Sequence, residues 1–240
     1  MKVKLIETIE EMRAFSKDAK SKNLSIGYVP TMGALHDGHV SLMKKAVFFF
    51  FFTELTANLY SYIDINELQN NLCGTKRPGH FRGVCTIVGK FFNIIQPDNA
   101  YFGKKDIQQL YIIKQMVKDL NFDVKIIPCD IVREDDGLAM SSRNRYLSES
   151  ERKDALVLSQ SLKKAVTLHQ QGEKSSQVLI NSIRQEIEKI SSAKIDYVSI
   201  VNEQMQDVCT VENKNIIALA VYIGNTRLID NHIIGETLCF

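Results

Sequence analysis

Neither sign of charge dominates this chain: 30 basic side chains stand against 28 acidic ones, a formal net charge of +2. So even a balance supplies no electrostatic footprint, and neither nucleic acid nor a membrane surface is expected as a partner. Long apolar runs are also missing. No stretch approaches the roughly 18 apolar residues that a membrane span needs. The opening residues, MKVKLIETIEEMRAF, hold no apolar core of signal-peptide length and turn acidic early. The five cysteines, Cys73, Cys85, Cys129, Cys209 and Cys239, are scattered and include no C-x-x-C pair. They read as reduced thiols rather than a disulfide frame or a zinc site, so a cytoplasmic protein is expected. No G-x-x-x-x-G-K-[ST] phosphate loop occurs, and no internal repeat.

What is present suffices for a substantial core: 240 residues, 45% hydrophobic. Thr8 stands three residues before Glu11, a capping box that predicts a helix from there. LSIGYVP reads as a strand ended by Pro30, and GHVSLMKKA as a helix with Val40, Leu42 and Met43 inward. RGVCTIVGKFFNIIQPD predicts a buried helix closed by Pro97. AYFG predicts a strand, KKDIQQLYIIKQMVKDLNF a helix, and DVKIIPCDIV another strand. Alternation of this kind favours a parallel sheet with helices on both sides. Beyond REDDGLAMSSRNRYLS the pattern becomes helix, helix and then strands. Ser148 and Glu151 cap the first of these helices, ERKDALVLSQSLKKAVTLHQQ. The expected fold is therefore α/β, with a Rossmann-like domain over residues 1–131 and a smaller α+β domain over residues 132–240.

The most informative stretch is PTMGALHDGH, residues 30–39, between a strand and a helix. His36 and His39 are three apart, so at a helix start they can share a face. Unpaired N–H groups and the partial positive charge of a first helical turn attract phosphate. Imidazoles add hydrogen-bond donors there, and Gly38 leaves room for a ligand to approach the backbone. Alone, an H-x-G-H fits a turn histidine and a cap histidine equally well. FGKKDIQQL puts Lys104, Lys105, Asp106 and Gln109 at a strand tip, the rim where open α/β sheets bind ligands, although such a cluster is commonly a solvated helix start. GLAMSSRNRYL brings two hydroxyls, Ser141 and Ser142, and the Arg143 guanidinium, which suit a polyphosphate but also an ordinary polar linker.

Taken together, VPTMGALHDGH, KRPGHFRGV, YFGKKDIQQL, DGLAMSSRNRYLS and TRLIDN resemble the pantothenate synthetases, the pantoate–β-alanine ligase family. The resemblance is close over residues 24–46 and about 70–148 and looser beyond. It implies a Rossmann-type nucleotidyltransferase domain, a C-terminal domain covering the site, and a homodimer. It implies ATP-dependent condensation of pantoate with β-alanine through pantoyl adenylate, releasing AMP and pyrophosphate, with Mg²⁺ accompanying ATP. By the same resemblance Met32, Gly33, Ala34, Leu35, His36, Asp37, Gly38 and His39 line the ATP site. His39, His36 and Lys105 are then the catalytic group, with Lys105 neutralising charge on the α-phosphate. Gly103, Lys104, Lys105 and Asp106 complete the nucleotide site, and Val132, Met140, Ser141, Ser142 and Arg143 close over adenine and triphosphate. Pro30, Thr31 and Gln109 are expected at the pantoate pocket. Arg77 and His80 are expected near that pocket or the subunit contact. No protein metal ligands are assigned.

One segment departs from the family. Residues 47–64, VFFFFFTELTANLYSYID, contain five consecutive phenylalanines and read as a buried strand. Here the family has several dozen more residues, including a strand ending F-V-N-P-x-Q-F whose Gln binds pantoate and β-alanine. That motif is absent. Either the natural chain carries residues missing from this sequence, or a strand and its crossover have been deleted. The first is favoured, because such a loss from a parallel sheet should exceed the roughly 5–15 kcal/mol that holds a domain together. Two readings compete with the ligase: a nucleotidyltransferase for another small acid, and a nucleotide-binding protein with a damaged acid pocket. For the ligase, His39→Ala or Lys105→Ala should each remove about 2.7–4 kcal/mol of transition-state stabilisation with little effect on folding. Steady-state kinetics beside a denaturation curve check this; a loss of about tenfold or less would reassign the residue.

Overall fold

The computed structural model describes residues 5–31, 37–45 and 60–237, without the side chains of residues 44 and 45. The chain divides into two compact units, Met1–Lys104 with Gln108–Asp130, and Lys105–Ile107 with Ile131–Phe240.

In the first unit Thr8 caps α1 (Ile9–Ser21), accepting from the Glu11 N–H at 3.2 Å. The return arm of the box reaches the N–H of Glu7, one residue earlier than expected, at 3.3 Å. Met12, Ser16 and Ala19 form the buried stripe of α1, which packs against α4 (His80–Ile95). The expected strand over LSIGYVP is shorter. Among the described residues only β1 (Gly27–Tyr28) finds ladder partners, at Asn99 and Ala100 of β2 (Asn99–Gly103). Asp98 fixes this junction: its carboxylate accepts from the Ile26 N–H at 2.6 Å while its own N–H donates to the Ile26 carbonyl at 2.9 Å. β2 continues in parallel register with β3 (Lys125–Cys129), giving the order β1-β2-β3 among the described residues. The Tyr28 ring packs against Phe91 and Phe92 of α4, and burial raises its phenol pKa well above the usual value.

Helix α2 (Asp37–Lys45) forms where expected, but Val40 is 40% exposed while Leu42 and Met43 are half-buried. His39, Leu42 and Met43 follow i, i+3, i+4 spacing and share one face; Val40 falls about 100° away from His39 and off that stripe. The phenylalanine run lies outside the described residues, as does Cys239. Of the strand expected over residues 47–64, the described part, residues 60–64, is irregular, and Tyr60 and Tyr62 are exposed. Its partners are local: the Ile63 N–H donates to the Thr86 hydroxyl of α4 at 2.9 Å, and Tyr62 lies under the Arg82 guanidinium. A short helix, α3 (Leu72–Lys76), closes the turn before α4. Gly74 is required there, because a Cβ would stand 1.7 Å from the Gln69 carbonyl oxygen. In α5 (Ile107–Asp119) Leu110, Ile113 and Met116 are buried and Val117 is half-buried.

The second unit is an antiparallel sheet with helices packed on it. Ser148 and Glu151 form the full capping box of α6 (Glu149–Asp154). The helix expected to continue to residue 171 breaks at residues 155–156. There, i→i+3 bonds (Leu156 N to Lys153 O, Leu158 N to Ala155 O) tighten the turn before α7 (Val157–Gln170). α7 packs with α8 (Ser176–Ile187) over β4 (Ala193–Val201), β5 (Ile216–Ile223) and β6 (Thr226–Ile233), in the order β4-β5-β6. Central strand β5 is buried at every position but Tyr222, as its unbroken apolar sequence requires. A bulge between Ile195 and Tyr197 leaves Asp196 outside the ladder, where its carboxylate binds Arg227 of β6 at 2.8 Å. Leu162, Leu179 and Ile183 are fully buried between α7, α8 and the sheet. Leu162→Ala should therefore lower unfolding free energy by about 2–5 kcal/mol in a urea titration.

Candidate functional site

In the first unit, Pro30 and Thr31 follow the tip of β1 and are half-buried. Asp37 opens α2 and is exposed, while Gly38 and His39 are half-buried within its first turn, and the Ser41 hydroxyl donates to the Gly38 carbonyl at 2.8 Å. Met32, Gly33, Ala34, Leu35 and His36 lie outside the described residues. Gly103 ends β2, and a Cβ there would meet no described atom within 4 Å. Lys104 follows with its ammonium 2.7 Å from the Asp130 carboxylate just past β3. That side chain is therefore an ion-pair partner across the strand tips. Asp106 is exposed and Gln109 half-buried. The neighbouring Gln108 is buried, its amide donating to the carbonyls of Leu68 and Asn71, both at 2.8 Å. It holds the turn before α3. Arg77 and His80 sit together at the start of α4, Nη1 to Nε2 3.1 Å, beside Gly79 in the left-handed region at φ 75°.

The second unit brings a different set together. Lys105, Ser141 and Arg143 line one depression with Asn144, Arg227 and Asp230. Residues 132–140 form a small hairpin: Met140 N–H donates to Val132 O, Glu134 N–H to Leu138 O, and Gly137 turns the chain at φ 91°. Val132 and Met140, half-buried, are thus paired at its open end. Ser141 then caps a 3₁₀ turn, Ser142–Tyr146, accepting from the Arg143 N–H at 3.2 Å. The turn presents the exposed Arg143 to the depression. It is tied back by Asn144, which donates to Glu134 at 2.6 Å and to the Ala139 carbonyl at 3.1 Å. Glu134 also holds Arg152 of α6 at 2.7 Å, and the same guanidinium nitrogen reaches Asp136 at 2.7 Å.

Beneath the hairpin lies a buried ion pair. Arg133 meets both oxygens of Asp230 on β6, at 2.8 and 3.0 Å, with side-chain exposures of 9% and 1%. Arg133 donates further to the Gly137 carbonyl at 3.0 Å. Next to Asp230, Asn231 donates to the main-chain carbonyl of Lys105 at 2.9 Å. Sequence reasoning marks none of Arg133, Glu134, Asn144, Arg152, Asp230 or Asn231 as a site residue. Their signals are the RED preceding DGLAMSS, the DGLAMSSRNRYLS motif that holds Asn144, and TRLIDN, and charge and amide residues do not name their distant partners.

A parallel α/β unit with polar strand tips, joined to an α+β unit carrying a basic, hydroxyl-lined depression, has the architecture of a Rossmann-type nucleotidyltransferase with a second domain. The sequence model of the family described as pantoate-beta-alanine ligase matches residues 4–50 and 47–233. Pantothenate synthetases of Clostridium botulinum (strain 657) and Fervidobacterium nodosum are each 45% identical to the chain. The first match covers 95% of this chain and 98% of that protein, the second 97% and 100%. The crystal structure of pantothenate synthetase from Thermus thermophilus superposes with a TM-score of 0.87 at 28% identity, covering 96% of this chain and 99% of that one. The Francisella tularensis pantoate-beta-alanine ligase, solved with beta-gamma ATP and β-alanine, superposes at 0.76 with 29% identity, covering 98% and 99%. The chain belongs to the pantoate–β-alanine ligase family.

The family match also marks the missing segment. Its two stretches overlap at residues 47–50, where the phenylalanine run begins. The Clostridium alignment spans 274 positions against a chain of 240 residues, so that relative holds residues with no counterpart here.

Removing one partner of a buried pair leaves the other charge uncompensated. Asp230→Ala should therefore cost about 3–5 kcal/mol of stability in urea unfolding, far more than the same change at the exposed Asp135. A cost below about 1 kcal/mol would place the pair among ordinary surface contacts.

Proposed function

We propose that the chain catalyses the ATP-dependent condensation of pantoate with β-alanine. The pantoate carboxylate attacks the α-phosphorus of ATP, the bond to the β-phosphate bridging oxygen breaks, and pyrophosphate leaves. The β-alanine amine then attacks the acyl carbon of pantoyl adenylate, loses a proton, and AMP departs with the former carboxylate's bridging oxygen. The observation that carries this reading is the depression of the second unit, where a lysine, a serine and an arginine from distant motifs come together. Lys105 and Arg143 supply positive charge to a triphosphate and Ser141 a hydroxyl. His39, and His36 outside the described residues, act on the phosphates, with His39 as proton donor. Gly103, open in front, admits the nucleotide close to the backbone. Chemistry of this type asks the protein for positioning and charge neutralisation rather than covalent help.

On this reading residues 1–131 form the nucleotide-binding domain and residues 132–240 a lid, with Val132, Met140 and Ser142 beside the nucleotide. Pro30, Thr31 and Gln109 face pantoate, and Arg77 and His80 contribute nearby. Mg²⁺ would be held by phosphate oxygens and water; among the described residues no group of three or more His, Cys, Asp or Glu could hold a metal alone. It would supply charge neutralisation on the triphosphate. The protein acts as a homodimer in the cytoplasm. Among the described residues no helix is long and apolar enough to cross a membrane.

A second reading rests on the absent F-V-N-P-x-Q-F. Without its Gln the acid pocket is incomplete, and the chain binds ATP without activating pantoate. One experiment separates the two. Pyrophosphate release with ATP and pantoate, and pantothenate formation once β-alanine is added, are expected for the ligase. ATP binding by calorimetry with no pyrophosphate and no quenched adenylate would establish the second.

A further inference from the structure

The TRLIDN motif takes no part in the chemistry just described, yet its last two residues are among the most buried polar groups of the molecule: Asp230 is 2% and Asn231 3% exposed. We propose that Asn231 is a positioning residue for Lys105, fixing the main chain at the root of a side chain whose residue lines the depression of the second unit. This deepens, and rests on, the reading of Lys105 as a phosphate ligand.

The geometry is specific. Lys105 comes soon after β2 in sequence, but residues 105–107 pack with the second unit. Lys105 lies in the 3₁₀ turn Lys104–Asp106, and its carbonyl accepts the Asn231 Nδ2–H at 2.9 Å. Asn231 is itself held from three sides. Its strand position pairs with Ala218 of β5, its N–H donates to Asp230 Oδ1 at 2.8 Å, and that carboxylate is gripped by both terminal nitrogens of Arg133. An asparagine side chain has only two torsions, so once its backbone is locked the amide reaches one place. A lysine ammonium, by contrast, sits on four flexible carbons and can be aimed only by fixing the peptide at its root. The bond from Asn231 to the Lys105 carbonyl does that. Arg133, carried by the hairpin that leads into Ser141 and Arg143, meets the same Asp230, so one buried carboxylate sets both the arginine-bearing turn and the lysine-bearing one.

Titration calorimetry with ATP and Mg²⁺, without pantoate, tests this on four proteins: the parent chain, Asn231→Ala, Lys105→Ala and the double variant. Loss of one hydrogen bond acting through Lys105 should weaken ATP binding about three- to tenfold in the parent. In the Lys105→Ala background the same change should alter affinity by less than about twofold, because there is no ammonium left to misplace. An equal loss in both backgrounds, or no loss in either, overturns the proposal. If Lys105→Ala alone leaves affinity unchanged, the phosphate role of Lys105 is wrong and the positioning role falls with it, an outcome visible before the double variant is made. Asn231→Leu keeps a similar volume without a donor or a charge and repeats the cycle should the alanine variant fail to fold. Failure of both to give a cooperative melt marks Asn231 as a structural residue and rejects the assignment.

Discussion

Arg133 and Asp230, 97 residues apart in sequence, meet inside the second unit almost shut off from solvent. Burying two charges is costly, and the cost is offset only when geometry is good and the remaining donors and acceptors are used. Here both carboxylate oxygens receive a guanidinium nitrogen, one also receives the Asn231 N–H, and the arginine goes on to the Gly137 carbonyl. Such a pair admits little slack, and breaking either half strands a charge. Its effect is to join strand β6 to the base of the 132–140 hairpin, and through Asn231 to the turn that holds Lys105.

The polar lining of the depression hangs from that junction. The hairpin delivers Ser141 as a cap and Arg143 one turn later, while Asn144, Glu134 and Arg152 fasten the far side to α6. Glu134 and Arg152 are a quarter to a third exposed, so their pair contributes little to stability alone; its value is in direction. In the first unit Lys104 is held by Asp130, and the Gln108 amide is held by two carbonyls of the preceding turn. Of the two adjacent lysines, Lys104 pairs with Asp130; of the two adjacent glutamines, Gln108 is buried on that turn and Gln109 is half-buried.

The departures from sequence-based expectation have local causes. Among the described residues β1 pairs at only two positions, both with β2, so it is shorter than its apolar sequence. Val40 faces outward because the half-buried face of α2 runs through His39, Leu42 and Met43. The long helix after Ser148 divides because i→i+3 bonds at residues 155–156 interrupt its four-residue ladder. The shortened strand and the divided helix are not visible in composition or periodicity, which register where apolar residues recur but not which neighbours will meet them.

By itself the sequence determined the class of the protein: capping residues, apolar spacing and Gly–Pro punctuation are short-range features, and they placed most of the helices and strands. It also determined the family, since five ordered motifs are a linear property of the chain. Lys105, Ser141 and Arg143 could be named from those motifs. The resemblance implied that they meet at one triphosphate, whereas the supporting set of Arg133, Asp230 and Asn231 could not be named. A hydrogen bond or ion pair between residues about a hundred positions apart leaves no periodic trace, and any acidic or amide side chain could have been the partner. Only the closed chain, with β6 laid beside β5 and the hairpin folded down on it, decides which carboxylate meets which guanidinium.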